Sequence, residues 1–302
     1  MSIVIVGAHG YIGSKLLKRL SRTEEECFGL VRSNKNSDEY FIFRLLENEI
    51  ETKIWTGNIE KLSEGLRQIN AKQIINLAAE LTKECSIESI RKLCRDNIEF
   101  NSILAFSAVE AKIKHFVYSS TYSTSIDGLT YSPQTFYAAS KKASEDNLIF
   151  FAQSNNLKVT ILQFYDVYGP HQPHKRIVNT MLEALVDNKK LHISSGEQEI
   201  NLIHIEDLIS AMELIMAEDF PHSKNNFEYF TIAGNEVVRI RDLPLIISKA
   251  LGINWEEKQI IHDLPSRKNE ICKFRPMHKR LPNWEPHITM EIGIRSLMWD
   301  KP

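Results

Sequence analysis

The sequence predicts an α/β fold built on a parallel sheet, and three observations carry the prediction. The chain opens on a short apolar run, Ser2-Ile3-Val4-Ile5-Val6, that reads as a buried strand and meets a glycine-rich turn. Strand-like runs recur near residues 27–31, 74–78, 114–119 and 159–164. Helical or loop sequence separates each pair, and strands that alternate with helices favour parallel pairing.

The first turn is Gly7-Ala8-His9-Gly10-Tyr11-Ile12-Gly13, and Ile12, Leu16, Leu17 and Leu20 then recur at helical spacing. The turn therefore opens a helix whose free N–H groups and positive dipole end suit a pyrophosphate. Glycine lets backbone approach such a ligand closely. The spacing is GxxGxxG rather than GxGxxG, so the dinucleotide fingerprint fits in mechanism and not in form, and a plain structural βα turn is the competing reading. His9 is either a phosphate contact or a loop filler.

The second strand ends in Gly29-Leu30-Val31-Arg32-Ser33. An acid at its end would accept from the adenosine ribose and repel a 2′-phosphate, whereas Arg32 offers a guanidinium. NADP(H) is therefore favoured and NAD(H) stays possible. Lys35 is close enough in sequence to assist. The alternative is an Arg32 that is merely a solvated surface residue.

Two long helices are predicted over 96–111 and 136–154. The second opens on Tyr137-Ala-Ala-Ser-Lys141, after a hydroxyl cluster Ser119-Ser120-Thr121. Positions i and i+4 share a helix face, so Lys141 can stand beside the Tyr137 hydroxyl and favour its phenolate. A free tyrosine has a pKa of about 10, and bringing it near neutrality takes about 4 kcal/mol of differential stabilisation. Positive charge in a dehydrated cleft can supply that. Tyr11-Ile-Gly-Ser-Lys15 has the same form inside the glycine turn, so context and not spacing singles out Tyr137.

Beyond the fifth strand, Gly169-Pro170-His171-Gln172-Pro173-His174 is a loop. Short strands are expected at 192–193 and 201–205, and Glu206-Asp207 is expected to cap a helix running to Met216. His171 and His174 lack the converging ligands that a metal site needs. His204, in an apolar run, reads as a satisfied core histidine. No metal is predicted.

Together these segments resemble the extended short-chain dehydrogenase/reductase family of nucleotide-sugar epimerases, dehydratases and ketoreductases, over nearly the whole chain. Trp55-Thr56-Gly57-Asn58-Ile59 is similar to the family's adenine contact, and Ile74-Ile75-Asn76-Leu77-Ala78-Ala79 to the strand whose end passes beneath the cofactor. His115-Phe116-Val117-Tyr118-Ser119-Ser120-Thr121 resembles the strand that delivers the catalytic hydroxyl. Phe164-Tyr165-Asp166-Val167-Tyr168-Gly169-Pro170 resembles the entry to the substrate half.

The resemblance implies a doubly wound parallel sheet of the Rossmann type with a smaller C-terminal substrate-binding lobe. The dinucleotide domain would span 1–168 with 201–218 returning to it, and 169–200 with 219–302 would form the lobe. Tyr137 would be the general acid/base, Lys141 would bind the nicotinamide ribose, and Thr121 would hold the reacting sugar oxygen. Gly7, Gly10, Tyr11, Ile12, Gly13, Arg32, Asn58, Ile59, Leu77, Ala78, Ala79 and Tyr165 would complete the cofactor site. Thr121, Tyr122, Asp166, Arg176 and Arg267 are the substrate candidates. The resemblance also implies a homodimer through helices 96–111 and 136–154, where Leu148, Ile149, Phe150 and Phe151 offer more apolar surface than one buried face needs.

The chain departs from the family's pattern at several positions. Tyr122 and Ser123 stand where many members carry Asp and Glu for 4,6-dehydration, which argues against that chemistry. Gln163 and Asp166 stand where Arg and Asn are usual, and Ile200 where many members use Arg against the substrate diphosphate.

Composition agrees with a two-lobed enzyme: 302 residues, 43% of them hydrophobic, with a formal net charge of −2. That charge, without a long basic run, argues against nucleic acid as the main partner. Four cysteines without CxxC spacing suggest neither a zinc site nor a disulfide framework. No segment reads as a leader or as a membrane span, so a cytoplasmic location is expected. The function expected is NADPH-dependent reduction of a keto group on a nucleotide-linked sugar, with a 4-keto-6-deoxy sugar as the expected substrate. The alternatives are an NAD-dependent nucleotide-sugar epimerase and a non-catalytic dinucleotide-binding regulator.

Overall fold

The computed structural model describes residues 2–34, 37–45, 51–173, 176–217, 220–221, 224–256, 259–266 and 269–298. Strand β1 (Ser2–Val6) feeds helix α1 (Tyr11–Leu20), which returns to β2 (Glu26–Arg32). The chain then folds back twice, as β3 (Glu39–Leu45) and β4 (Glu51–Asn58). A 3₁₀ turn (Ile59–Lys61) and α2 (Leu62–Gln68) lead to β5 (Gln73–Asn76). One helical run follows: α3 (Ile87–Leu93), a π-helical segment (Cys94–Glu99) and α4 (Phe100–Glu110). Next come β6 (His115–Thr121), α5 (Phe136–Ser154) and β7 (Lys158–Phe164). The remainder holds β8 (Asp166–Tyr168), α6 (Ile177–Val186), β9 (Leu191–Ile193), β10 (Glu199–His204) and α7 (Ile205–Met216). It ends with β11 (Phe227–Ile232), β12 (Val237–Arg239), α8 (Leu243–Leu251), β13 (Ile260–His262) and α9 (Met290–Ser296).

The main sheet has eight strands in the order β11-β7-β6-β5-β1-β2-β3-β4. β1 pairs in parallel with β2 and β5, and β5 with β6, so the centre is the parallel α/β sheet that the alternation predicts. One edge differs: β2, β3 and β4 form an antiparallel meander. The sequence reading put no strand between 31 and 74, yet Tyr40-Phe41-Ile42-Phe43 is buried throughout. Such an aromatic and β-branched run, with apolar material for both faces, is better accommodated inside a sheet than as a crossover helix. β3 thus separates β4 from β2, which sets Asn58 and Ile59 one strand further from β1.

The chain divides into two compact units. The first comprises Met1–Thr124, Thr135–Gln163 and Ile215–Phe230; the second comprises Ser125–Gln134, Phe164–Leu214 and Thr231–Pro302. Residues 125–134, 164–168 and 201–214, assigned above to the first domain, therefore fall in the second unit, and 219–230, assigned to the lobe, fall in the first. Each unit has its own hydrophobic core. The first is centred on Val4, Leu30, Ile42, Ile74, Phe116 and Ile161, and the second on Tyr168, Met181, Leu202, Ile247, Trp255 and Ile294.

Within the second unit His204 is a satisfied core histidine: Nε2 lies 3.2 Å from Ser296 Oγ, and Nδ1 accepts from the Glu206 amide at 3.3 Å. Asp207 does not cap α7, which starts at Ile205. Its carboxylate instead accepts the amides of His287 (2.9 Å) and Ile288 (3.1 Å) and so tethers the C-terminal segment. Ile200 is buried and belongs to that unit's core. No helix among the described residues is long and apolar enough to cross a membrane.

The inserted strand can be tested at Gly29, which pairs with Phe43. A Cβ on Gly29 would come within 2.4 Å of the Phe43 ring and 2.8 Å of the Ala8 Cβ. Gly29→Ala is expected to cost about 1–3 kcal/mol in urea unfolding by overpacking. A double-mutant cycle with Phe43→Leu is expected to show coupling, because the smaller side chain relieves the clash. Additive effects would contradict this packing.

Candidate active site

The glycine turn is shaped first by its own packing. Gly7 has φ of +79°, a conformation that favours glycine, and a Cβ there would strike the Ala78 amide nitrogen at 2.9 Å. A Cβ on Gly13 would lie 2.3 Å from the Gly7 carbonyl oxygen. These two glycines therefore let α1, the turn and the segment after β5 close on one another. Gly10 differs, because a Cβ there would meet only the Gly7 oxygen, at 3.1 Å, and would otherwise enter open space. Gly10 is the N-cap of α1 and offers no side-chain cap to the first turn of the helix.

The glycine turn borders a cavity of about 460 Å³ lined by residues that include Gly7, Gly10, Arg32, Ala78, Ala79 and Asp96. Leu77 is anchored behind it by its amide, which donates to the Val6 carbonyl at 3.0 Å. Of the residues singled out in the sequence, the structure brings Gly7, Gly10, Arg32, Ala78 and Ala79 to one cavity, whereas Tyr11, Ile12, Gly13 and Leu77 are not in its lining. His9 also lines it, with Nε2 2.7 Å from Glu51 Oε1 and its ring packed against Phe41 and Phe43. Ile59 instead lines a smaller adjoining cavity of about 280 Å³. Asn58 is exposed, and Gly57 makes room for the Trp55 indole, which a Cβ would meet at 2.5 Å.

At the mouth of β2 stands a cluster that the sequence reading missed. Arg32 Nη2 donates to Asp96 Oδ1 at 2.8 Å, and Arg32 Nε donates to the Tyr40 hydroxyl at 3.2 Å. Arg95 grips the same carboxylate through Nε at 2.9 Å and Nη2 at 3.0 Å. Tyr40 stacks on Phe100 with ring centroids 5.4 Å apart. Burial pushes the Asp96 carboxyl up, but hydrogen bonds from Arg95 and Arg32 outweigh it and hold the group below its ordinary value, so it stays ionised at neutral pH. Arg32 is thus neither a solvated surface residue nor a bare anion site. No sequence signal marks Asp96 for this role, since it comes from a helix 64 residues further along the chain.

The adjacent residue, Asn97, points the other way. Its Nδ2 donates to the Glu80 carbonyl and to Ser140 Oγ, both at 3.0 Å, and its Oδ1 accepts the Glu80 amide at 2.8 Å. Its carbonyl accepts from Ser144 Oγ. Both Ser140 and Ser144 lie on α5, the helix that carries Tyr137 and Lys141.

Lys141 is 1% exposed, and its Nζ has no hydrogen-bond partner among the described residues. It sits over the Tyr118 ring, 4.1 Å from the centroid. Burial lowers its pKa to about 7, opposed by the nearby charge of Glu145. A lysine this deep without a partner is costly, and a hydroxyl-bearing ligand would satisfy it. Lys15, in the motif of the same form, instead sits 5.7 Å from the centroid of the Tyr11 ring and is only partly buried.

Tyr137 is half-buried in the first turn of α5, where Thr135 caps the helix by accepting the Ala138 amide at 3.2 Å. Thr121 ends β6, with Oγ1 2.9 Å from Ser123 Oγ. Glu145 ties that strand to α5, accepting from Ser120 and, at 3.1 Å, from the Tyr229 hydroxyl. Burial pushes the Glu145 carboxyl above its ordinary value despite these bonds. Tyr122 is half-buried, and the 3₁₀ turn Tyr122–Thr124 contains no carboxylate.

Tyr165, Asp166 and Arg176 belong to the second unit. Tyr165 is buried against Phe274, 4.8 Å between centroids, Asp166 starts β8, and Arg176 immediately precedes α6. Arg267, Lys35 and His174 lie outside the described residues. Among the described residues there is no group of three His, Cys, Asp or Glu able to hold a metal ion.

A glycine turn on a parallel sheet, followed by a tyrosine and a buried lysine one helical turn apart, defines a dinucleotide-dependent enzyme of the extended short-chain dehydrogenase type. Residues 3–228 match the NAD dependent epimerase/dehydratase family, and the chain belongs to it. The chain is 25% identical over 289 residues to Protein CapI of Staphylococcus aureus, covering 83% of this chain and 84% of that protein. It is 24% identical over 289 residues to a dTDP-glucose 4,6-dehydratase of Streptomyces antibioticus, covering 91% and 83%. In fold it is similar to MoeE5, solved in complex with UDP-glucose and NAD, with a TM-score of 0.76, 19% identity and coverage of 99% and 98%.

The burial of Lys141 makes a pH prediction. Between about 7 and 10.5 the unfolded chain keeps this proton and the folded chain does not, so the lysine's cost to stability falls as pH rises through that window. Below about 7 both states are protonated and the cost is at its maximum. In urea unfolding, the stability of wild type relative to Lys141→Met is expected to rise between about pH 7 and about pH 10. A constant difference would contradict a buried, depressed lysine.

Proposed function

We propose that the protein reduces a keto group on a nucleotide-linked sugar, with a 4-keto-6-deoxy sugar as the first substrate to try, and that Tyr137 is the general acid. The observation that carries this is the fully buried, unpartnered Lys141 ammonium one turn beyond Tyr137. The residues present fit a nicotinamide dinucleotide: the glycine turn at the N-terminus of α1 would hold the pyrophosphate, and Lys141 Nζ would bind the hydroxyls of the nicotinamide ribose. When bound, that group supplies the hydride for the carbonyl carbon. Tyr137 gives its phenolic proton to the developing alkoxide, and Thr121 donates a hydrogen bond to the same oxygen. Lys141 stabilises the tyrosinate left behind.

The turn after Thr121 supports reduction over dehydration, because removing water from the sugar needs further acid and base groups, and Tyr122-Ser123-Thr124 offers no carboxylate. For the sugar nucleotide we assign Tyr122, Asp166 and Arg176, together with Arg267, and Tyr165 for the cofactor. We also propose a homodimer through α4 and α5, where Phe106 and Phe150 are exposed while Leu148 is core. The expectation of NADP(H) rested on a guanidinium presented to the ribose. Arg32 is bridged to Asp96, so the choice between NADP(H) and NAD(H) turns on that pair.

The same bridge favours keeping the epimerase as a second reading, since an epimerase holds NAD tightly and returns the hydride to the other face of the sugar. Near-stoichiometric NAD released on denaturing the purified protein would favour it. For the reductase, Tyr137→Phe is expected to lower turnover of a 4-keto nucleotide sugar by about 10²–10⁴-fold. Dinucleotide affinity, read by fluorescence titration, is expected to stay within about twofold, because the hydroxyl acts in the chemical step and not in holding the ground state. Unchanged turnover would overturn the mechanism.

A further inference from the structure

We propose that Asp96 is the residue that selects the dinucleotide: its carboxylate accepts the adenosine 2′-hydroxyl of NAD(H) and disfavours the 2′-phosphate of NADP(H), although the β2 terminus carries an arginine. The inference rests on the reading that the larger cavity holds a dinucleotide. It goes further by reversing the preference that Arg32 alone suggests.

Three observations converge on Asp96. It lines the larger cavity together with the glycine turn, at the end of β2 where an adenosine ribose would lie. Its side chain is only 11% exposed, yet it is ionised, with Oδ1 receiving two donors and Oδ2 one, so Oδ2 keeps lone-pair capacity for a ribose hydroxyl. It also lies in the π-helical segment Cys94–Glu99. A π turn rephases a helix, and here it aims Asp96 at Arg32 while its neighbour Asn97 meets Ser140 on α5.

The charge balance points the same way. Among the described residues the larger cavity presents Arg32 against Asp96, with Glu80 paired to Lys92 at 2.6 Å and His9 lying 2.7 Å from Glu51. The smaller cavity presents Arg32 and Arg95 against Asp38 and Glu99. Arg32, Tyr40 and Phe100 line both, so the Arg32–Asp96 bridge stands at the partition. Among the described residues the arginines of these linings, Arg32 and Arg95, are both engaged by Asp96, so neither lining offers an uncommitted guanidinium to a phosphate of charge about −2. To bind one, Arg32 would have to leave Asp96, and the phosphate would then face a buried carboxylate that has lost one of its two cationic partners. A 2′-hydroxyl needs neither change: it donates to Asp96 while the bridge stays closed.

The test is to titrate wild type and Asp96→Asn with NADH and with NADPH, reading the affinities by fluorescence without a sugar substrate. Wild type is expected to bind NADH about tenfold or more tightly than NADPH, and Asp96→Asn to move that ratio toward NADPH by about tenfold or more. A wild-type preference for NADPH, or a ratio that Asp96→Asn leaves in place, would overturn the assignment to Asp96 while leaving the dinucleotide reading intact. Binding of neither dinucleotide to wild type would overturn the functional reading itself. If Asp96→Asn does not fold, Arg95→Ala replaces it. Arg95 is about half exposed, and removing it leaves Asp96 less neutralised, so the wild-type preference for NADH is expected to increase. An unchanged or reduced preference would contradict the proposal.

Discussion

The π-helical segment Cys94–Glu99 is the constraint on which the rest of the first unit depends. Two successive residues of this segment serve different ends of the site. Asp96 reaches back to Arg32 at the end of β2, while Asn97 binds both the backbone of Glu80 and the Ser140 hydroxyl of α5. Asn97 is fully buried and uses its whole carboxamide, so each bond is made where water cannot compete. Through it the segment after β5, the long helical run and the Tyr137 helix are fixed against one another. Packing of the glycine turn on Ala78 then places the amides of α1 in the same frame.

Within that frame electrostatics divides the labour. Lys141 is kept dry by Tyr118 and by the surrounding core, and its depressed pKa follows from that burial. Glu145, one turn further along α5, does not pair with it directly. Its oxygens are taken by Ser120 and Tyr229, with Lys142 3.5 Å away. On the proposed reading the ammonium of Lys141 is thereby left for a ligand, as a cofactor-holding lysine would require. On the proposed mechanism, binding of an anionic dinucleotide raises the lysine's pKa and charges it when Tyr137 needs a neighbouring cation.

Much of this was legible in the sequence, and the illegible parts have physical reasons. Local patterns report on local structure: the first strand, the glycine turn and the helical periodicity of α1 need no distant partner to be read. The Tyr137 and Lys141 pair was legible as one helix face, but not the isolation of Lys141, which depends on Tyr118 and Glu145 from other turns and strands. The antiparallel insertion did carry a signal in Tyr40-Phe41-Ile42-Phe43, which is rich in β-forming residues. The expectation of strict alternation between strand and helix hid it. Arg32 shows the deeper limit. Its residue type was read correctly as a cation at the end of β2, yet its effect on a ligand is set by Asp96, and no spacing rule links residue 32 to residue 96.

The family's chemistry is shared by reductases and epimerases, and one measurement separates them while testing the role given to Tyr137. The protein would be incubated with a 4-keto nucleotide sugar and reduced dinucleotide carrying deuterium at the transferable position, and the sugar product would be analysed by mass and NMR. The account predicts one deuterium on the former carbonyl carbon, one equivalent of oxidised dinucleotide formed, and loss of both with Tyr137→Phe. Sugar that returns epimerised without deuterium, with the dinucleotide unchanged, would contradict it.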